Sequence, residues 1–202
     1  SNDAIKPDLI TYSTVIKGYS KIKKVDKVIE IYDFLIRNNG TYKLDEITYN
    51  TVIDACVKSG LNVKANEIHQ NMIKEGVPKG KVTYCILMRL CINQGKFNDA
   101  MQLLEEMKKL NITPGVIVYT CLIQAAFRNN LPKIAIELFD EMKQYSAPDH
   151  VLYNIVINGC LFHRMNYKAI YLVNESLDNN IKIATDIYTN TLFKILKFLN
   201  IP

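Results

Sequence analysis

The sequence predicts an all-α fold, an α-solenoid of helix-turn-helix repeats, on three observations. One Tyr-centred pattern recurs at nearly constant spacing, each interval carries two apolar stripes of helical period, and no stretch alternates like a half-buried strand. The marker residues are Tyr12, Tyr49, Tyr84, Tyr119, Tyr153 and Tyr188, spaced 37, 35, 35, 34 and 35 apart. They divide a single array, 1–202, into five full repeats, 9–45, 46–80, 81–115, 116–149 and 150–184. Residues 1–8 read as the tail of a preceding repeat and 185–202 as a partial one, so the chain is expected to be a piece of a longer array.

Each element of the repeat has its own warrant. The first helix is marked by apolar or small residues three, four and seven steps after the Tyr: Val15, Ile16 and Tyr19 in the first repeat, Leu87, Met88 and Cys91 in the third. A short break follows, as at Ser59-Gly60, Gln94-Gly95 and Asn129-Asn130. The second helix carries stripes such as Ala100, Leu103, Leu104, Met107 and Ala135, Leu138, Phe139, Met142. Sixteen steps after the Tyr stands a small residue, Ala65, Ala100, Ala135 and Ala169, with Val28 the exception, which lets helix backbones approach closely. Turn chemistry closes the repeat at Gly76-Val77-Pro78, Thr113-Pro114-Gly115 and Pro148-Asp149. The first repeat has two residues more than the next, within Thr41-Tyr42-Lys43-Leu44, and a longer loop is expected there. One repeat cannot bury its own apolar face, so neighbours must stack.

Composition narrows the function. An apolar content of 49% over 202 residues is that of a folded domain, and a net charge of +5 permits a polyanionic partner without requiring one. Five cysteines, an odd number, argue against a disulfide scaffold and are expected to be reduced thiols. Cys56, Cys91 and Cys160 recur seven steps after the Tyr and read as core filling, because equivalent helices lie too far apart for their sulfurs to share a zinc ion. No apolar run approaches the roughly 20 residues of a membrane span. Three scattered histidines, with no metal-ligand spacing, phosphate loop or nucleophile elbow, give no support to an enzyme, and no cofactor is expected.

On the first helix, residues two before the Tyr and one, five and nine after it fall on a second face. That face is Ile10, Ser13, Lys17, Lys21 in the first repeat, Ile47, Asn50, Asp54, Lys58 in the second, and Ile117, Thr120, Gln124, Arg128 in the fourth. The order is aliphatic, then short and polar, then cationic at the end. Such a face suits a nucleotide: aliphatic side chains against the base's flat faces, a polar group at its Watson–Crick edge, a cation near phosphate.

Tetratricopeptide repeats have a similar length, but this chain lacks Trp and the recurrent Leu-Gly pair of that pattern. It resembles the pentatricopeptide repeat (PPR) family. The residues that carry the resemblance are Ile47-Thr48-Tyr49-Asn50-Thr51-Val52-Ile53-Asp54, Leu9 to Tyr19, Ala135 to Met142, and the closing turn Ile5-Lys6-Pro7-Asp8. The resemblance implies a right-handed superhelix that binds single-stranded RNA, one base per repeat, the base being chosen by the residue after the Tyr and the residue that closes the repeat. The implied pairs are Ser13 with Asp45, Asn50 with Gly80, Cys85 with Gly115, Thr120 with Asp149, and Asn154 with Ala184. The implied stacking residues are Ile10, Ile47, Val82, Ile117 and Val151; the phosphate-side cations are Lys21, Lys58 and Arg128, with Asn93 and Phe162 standing where cations are expected.

By the family's assignments Ser or Thr with Asp implies guanine, and Asn implies a pyrimidine, although Gly80 and Ala184 bring no second contact. The expected target is 5′-G-pyrimidine-any-G-pyrimidine-3′. Asp8, Asp45 and Asp149 also precede helix starts and so suit an N-cap role as well as base reading. The resemblance further implies work in an organelle, mitochondrion ahead of plastid, on RNA processing, stability or translation, alongside other RNA-processing proteins. Two rival readings are a protein-interaction scaffold and the RNA-targeting arm of a larger RNA-processing enzyme.

Overall fold

A computed structural model describes residues 7–38, 41–189 and 191. Among them the fold is all-helical, of the α-solenoid class. Ten helices have both ends described: α1 (Leu9–Lys21), α2 (Val25–Arg37), α3 (Glu46–Lys58), α4 (Asn62–Lys74), α5 (Lys81–Asn93), α6 (Phe97–Lys109), α7 (Val116–Arg128), α8 (Pro132–Met142), α9 (His150–Phe162) and α10 (Asn166–Asp178). Residues 185–189 begin a further helix. Ile5, Lys6 and most of the partial last repeat lie outside the described residues.

The chain forms two compact units, Ser1–Leu103 and Leu104–Pro202. In the first, α1 packs on α2 and α3, and α3 on α2, α4 and α5. In the second, α7 packs on α8 and α9, and α9 on α8 and α10. Each unit thus stacks helix pairs so that a neighbour covers the face that one pair leaves open.

The core follows from the repeat. Tyr49, Tyr84, Tyr119 and Tyr153 are all buried, as are Val28, Ala65, Ala100, Ala135 and Ala169, where the two helices of a repeat meet. The first repeat departs from the expected stripe: Ile16 is buried, but Tyr12 and Tyr19 are half-buried and Val15 is exposed. Among the described residues no helix precedes α1 to cover that side. Tyr12 instead packs against Phe34 and Tyr42, ring centroids 5.5 and 5.4 Å away. Tyr42 lies in the connection from α2 to α3, eight residues long where those from α4 to α5 and from α6 to α7 have six.

One turn joins the two helices of every repeat. Three residues separate them, and the middle one has positive φ: Lys23 (58°), Gly60 (75°), Gly95 (72°), Asn130 (56°) and Arg164 (59°). The third residue's N–H bonds back to the carbonyl five residues earlier, as from Leu61 to Cys56 (2.9 Å) and Met165 to Cys160 (2.8 Å). This is the Schellman arrangement, which satisfies carbonyls that a helix end leaves open. Among the described residues no helix is long and apolar enough to cross a membrane.

Candidate nucleic-acid interface

The aliphatic series is not core. Ile10, Ile47, Val82, Ile117 and Val151 are all exposed, from 47% at Val151 to 74% at Ile10. Each lies in the first turn of its repeat's first helix, two residues before a Tyr that is buried in every repeat but the first. Helix geometry explains the contrast, since a two-residue step turns a side chain roughly 200° around the axis. Five β-branched residues at one register position, left in solvent, are not accounted for by packing within their units.

The polar positions beside them are half-buried at Ser13, Cys85, Thr120 and Asn154, while Asn50 sits deeper, at 7% exposure. Hydrogen bonds explain the difference and bring together three of the five sequence-derived pairs. In the first repeat, Asp45 caps α3: its Oδ1 accepts from the Thr48 N–H (2.8 Å) and from the Thr48 hydroxyl (2.7 Å). The Ser13 hydroxyl meets Thr48 Oγ1 at 2.7 Å. A carboxylate only accepts and a hydroxyl has one proton, so Thr48 donates to Asp45 and Ser13 donates to Thr48. Ser13 Oγ, its proton engaged, has only lone pairs left to offer.

In the second repeat the closing residue, Gly80, has no side chain. Glu46, at the start of α3, reaches it instead. Its Oε1 accepts from the Gly80 N–H (3.0 Å), the Thr83 hydroxyl (2.9 Å) and the Asn50 amide (3.2 Å). Asn50 Oδ1 also lies 2.9 Å from the Thr83 hydroxyl. In the fifth repeat Asn154 Oδ1 accepts directly from the Ala184 N–H at 3.1 Å. Thr120, in the fourth, donates to the Val116 carbonyl within its own helix (2.8 Å), while Asp149 caps α9 through the Leu152 N–H (2.8 Å). No hydrogen bond among the described residues links Thr120 to Asp149. Cys85 and Gly115 belong to different units.

Thr48 and Thr83, both buried, are the contributors that sequence reasoning missed. Their signal was present: Thr directly precedes the marker Tyr in the first three repeats, as Thr11, Thr48 and Thr83, and Thr11 bonds to Asp8 in the same way. The Thr11 hydroxyl and then its backbone N–H hold the exposed Asp8 carboxyl below its ordinary value. Asp8, Asp45 and Asp149 are all N-caps, each accepting from a backbone N–H three residues on.

The cations fare unequally. Lys21 and Arg128 are exposed at the C-terminal ends of α1 and α7. Lys58 is ion-paired one turn back with Asp54, which also takes Arg89 Nη1 at 2.8 Å from the next repeat. Phe162, at the cation position of the fifth repeat, is 78% exposed.

Cys56 and Cys160 are buried in the core. Burial pushes the Cys56 thiol up to about 11 and the Cys160 thiol to about 12, keeping both protonated. Among the described residues no cluster of His, Cys, Asp and Glu is placed to hold a metal ion.

Comparisons with known proteins agree with the repeat. The PPR repeat family model matches residues 44–93 and 79–117, the pentatricopeptide repeat domain model 102–161, and the PPR repeat model 10–39 and 151–181. A chloroplastic pentatricopeptide repeat-containing protein of Arabidopsis thaliana is 32% identical over 77 residues, 38% of this chain and 10% of its own length. The crystal structure of PPR10 from maize superposes with a TM-score of 0.81 at 20% identity, covering 97% of this chain and 28% of that one. PPR10 in complex with an 18-nt psaJ RNA element gives 0.78 at 19% identity, covering 96% and 28%. The PPR domain of Arabidopsis thaliana protein-only RNase P 1, in complex with tRNA, gives 0.77 at 17% identity, covering 93% of this chain and 96% of that one. The chain thus spans a tenth of its curated relative and about a quarter of PPR10.

Proposed function

Because the chain belongs to the pentatricopeptide repeat family, we propose that it binds single-stranded RNA, one base per repeat, through the face that begins at Ile10, Ile47, Val82, Ile117 and Val151. The observation that carries this reading is the exposure of that aliphatic series in all five repeats, beside a short polar side chain in all but the third, where Cys85 stands. β-Branched side chains offered to solvent at a fixed register suit the flat faces of bases, and stacking of this kind contributes about 1–3 kcal/mol per base when the partner is aromatic, less when aliphatic. The RNA-bound relatives support the same conclusion.

Proton inventory supports the base assignments. In the first repeat Ser13 Oγ and Asp45 Oδ2 offer acceptors only. Guanine alone among the four bases carries two adjacent N–H donors on its Watson–Crick edge, so an all-acceptor pair selects it. Thr120, its proton held by the Val116 carbonyl, and Asp149 offer acceptors in the same way. Asn50 and Asn154 each keep both a donor and an acceptor, which fits adenine as well as a pyrimidine, and the pyrimidine at these positions is what the family's assignments imply for Asn. The reading is 5′-G-pyrimidine-any-G-pyrimidine-3′.

Selection from a random RNA pool tests it: enriched sequences should carry guanines three nucleotides apart, and Ser13→Asn should shift the first guanine alone. A selected motif without that spacing refutes the assignment. Organellar RNA processing, stability or translation belongs to the same reading, and the chloroplastic relative favours the plastid over the mitochondrion. The match to nearly all of the RNase P 1 repeat domain supports a second reading, the RNA-targeting arm of a processing enzyme; the gene's full coding sequence discriminates the two.

A further inference from the structure

We propose that Glu46 is the second base-reading residue of the second repeat, supplying from the preceding helix start the carboxylate that Gly80 lacks. The inference rests on the RNA-binding reading above and adds a residue outside its two reading positions.

Three observations carry it. First, the space is taken: a Cβ built on Gly80 would lie 2.6 Å from Glu46 Oε1 and 3.0 Å from Oε2, so the carboxylate occupies the volume where a closing side chain would start. Second, the bonding repeats that of the first repeat with a different donor of the carboxylate. Asp45 Oδ1 takes the hydroxyl of Thr48, and Glu46 Oε1 takes the hydroxyl of Thr83, the equivalent residue one repeat later. Third, the residue after the Tyr is tied to the same group in both: Ser13 through Thr48, and Asn50 directly, by its amide on Glu46 Oε1.

The consequence is chemical. Glu46 fixes the Asn50 amide with its nitrogen towards the carboxylate, and the single Thr83 proton lies between Glu46 Oε1 and Asn50 Oδ1, so Asn50 keeps one N–H and at least one lone pair for a base. Glu46 Oε2 makes no hydrogen bond among the described residues and adds an acceptor. A pair that appeared to have one reading group has two.

The test measures binding of the chain to short RNAs that differ only at the second nucleotide, all four bases in turn, and to a matching set varied at the first. Wild-type protein should prefer guanine first and a pyrimidine second, each by about tenfold, within the span that one mismatched base typically costs. Glu46→Gln keeps an oxygen for Gly80 and Thr83 but turns the outer acceptor into a donor. It should reduce the second preference to within about threefold and leave the first intact. Glu46→Ala should do the same, and Gly80→Asp on that background should restore the preference.

Unchanged second-base preference in Glu46→Gln, with the first guanine still selected, overturns the role of Glu46 and spares the RNA reading. Loss of both preferences together in Glu46→Gln shows a role in folding alone and overturns the proposal. A wild-type protein with no preference at either position overturns the reading and the proposal with it.

Discussion

Two tyrosines at one repeat position end in different surroundings, and their hydroxyls should behave differently. Tyr119 donates to Glu141 Oε1 at 2.7 Å, and burial together with that carboxylate raises its phenol above the ordinary range. Tyr49 is as deeply buried, but its hydroxyl has no partner among the described residues, and burial pushes it up to about 12. A hydrogen bond to a charged group contributes about 1.5–3 kcal/mol, whereas an unpaired buried hydroxyl costs about 1–3 kcal/mol. Tyr119→Phe should therefore destabilise by about 1.5 kcal/mol, while Tyr49→Phe should be neutral or stabilise by about 1 kcal/mol. Urea melts of the two variants decide it; equal losses would show that Tyr49 has a partner after all.

Among the elements, α9 and the turns set propensity against packing. Gly159 lies inside α9, where Ala would gain about 1 kcal/mol of helix propensity. A Cβ there would meet the Phe127 ring of α7 at 2.5 Å, and that ring is itself stacked on His163, centroids 5.7 Å apart. Overpacking costs about 1–3 kcal/mol, so Gly159→Ala should lose about 1 kcal/mol net. A rise in melting midpoint would mean that the ring swings away freely. The turn after α9 reverses the logic. Arg164 holds φ at 59°, where Gly60 and Gly95 serve in the equivalent turns. The left-handed region costs an L-residue about 1–2 kcal/mol, partly offset by the entropy glycine loses on folding. Arg164→Gly should therefore stabilise by about 0.5–1 kcal/mol in thermal or chemical melts. Gly60→Ala should lose a similar amount, although its methyl would meet nothing within 4 Å.

For the whole molecule the layout of charge matters more than its sum. The net charge is +5, yet Lys58 and Arg89 share the one Asp54 carboxylate, which offsets part of their charge. If each phosphate-side cation contributes about −0.7 to the salt slope of single-strand binding, Lys21 and Arg128 together give about −1.4. Asp54→Asn releases Lys58 and Arg89. It should tighten RNA binding at low salt and steepen the slope towards about −2 or beyond. Binding titrations across a salt series read both effects, and an unchanged slope would place Lys58 away from phosphate.

How much of this was legible in the sequence follows from what each feature depends on. Period, helix pairing, exposed aliphatic register and, beyond the first repeat, the buried Tyr were readable from order alone, because helical geometry fixes which residues share a face and a repeat stacked on both sides buries the same one. The Asp caps were readable for the same local reason, three residues from the N–H groups they satisfy. The partners that only come together on stacking were not. Thr48 linking Ser13 to Asp45, Glu46 entering the space above Gly80, Arg89 joining the Asp54–Lys58 pair, and Phe127 closing on Gly159 each bring together groups from different helices. A periodic sequence states what each unit presents; the packing of one unit on the next decides which of those groups are already engaged and which remain for a ligand.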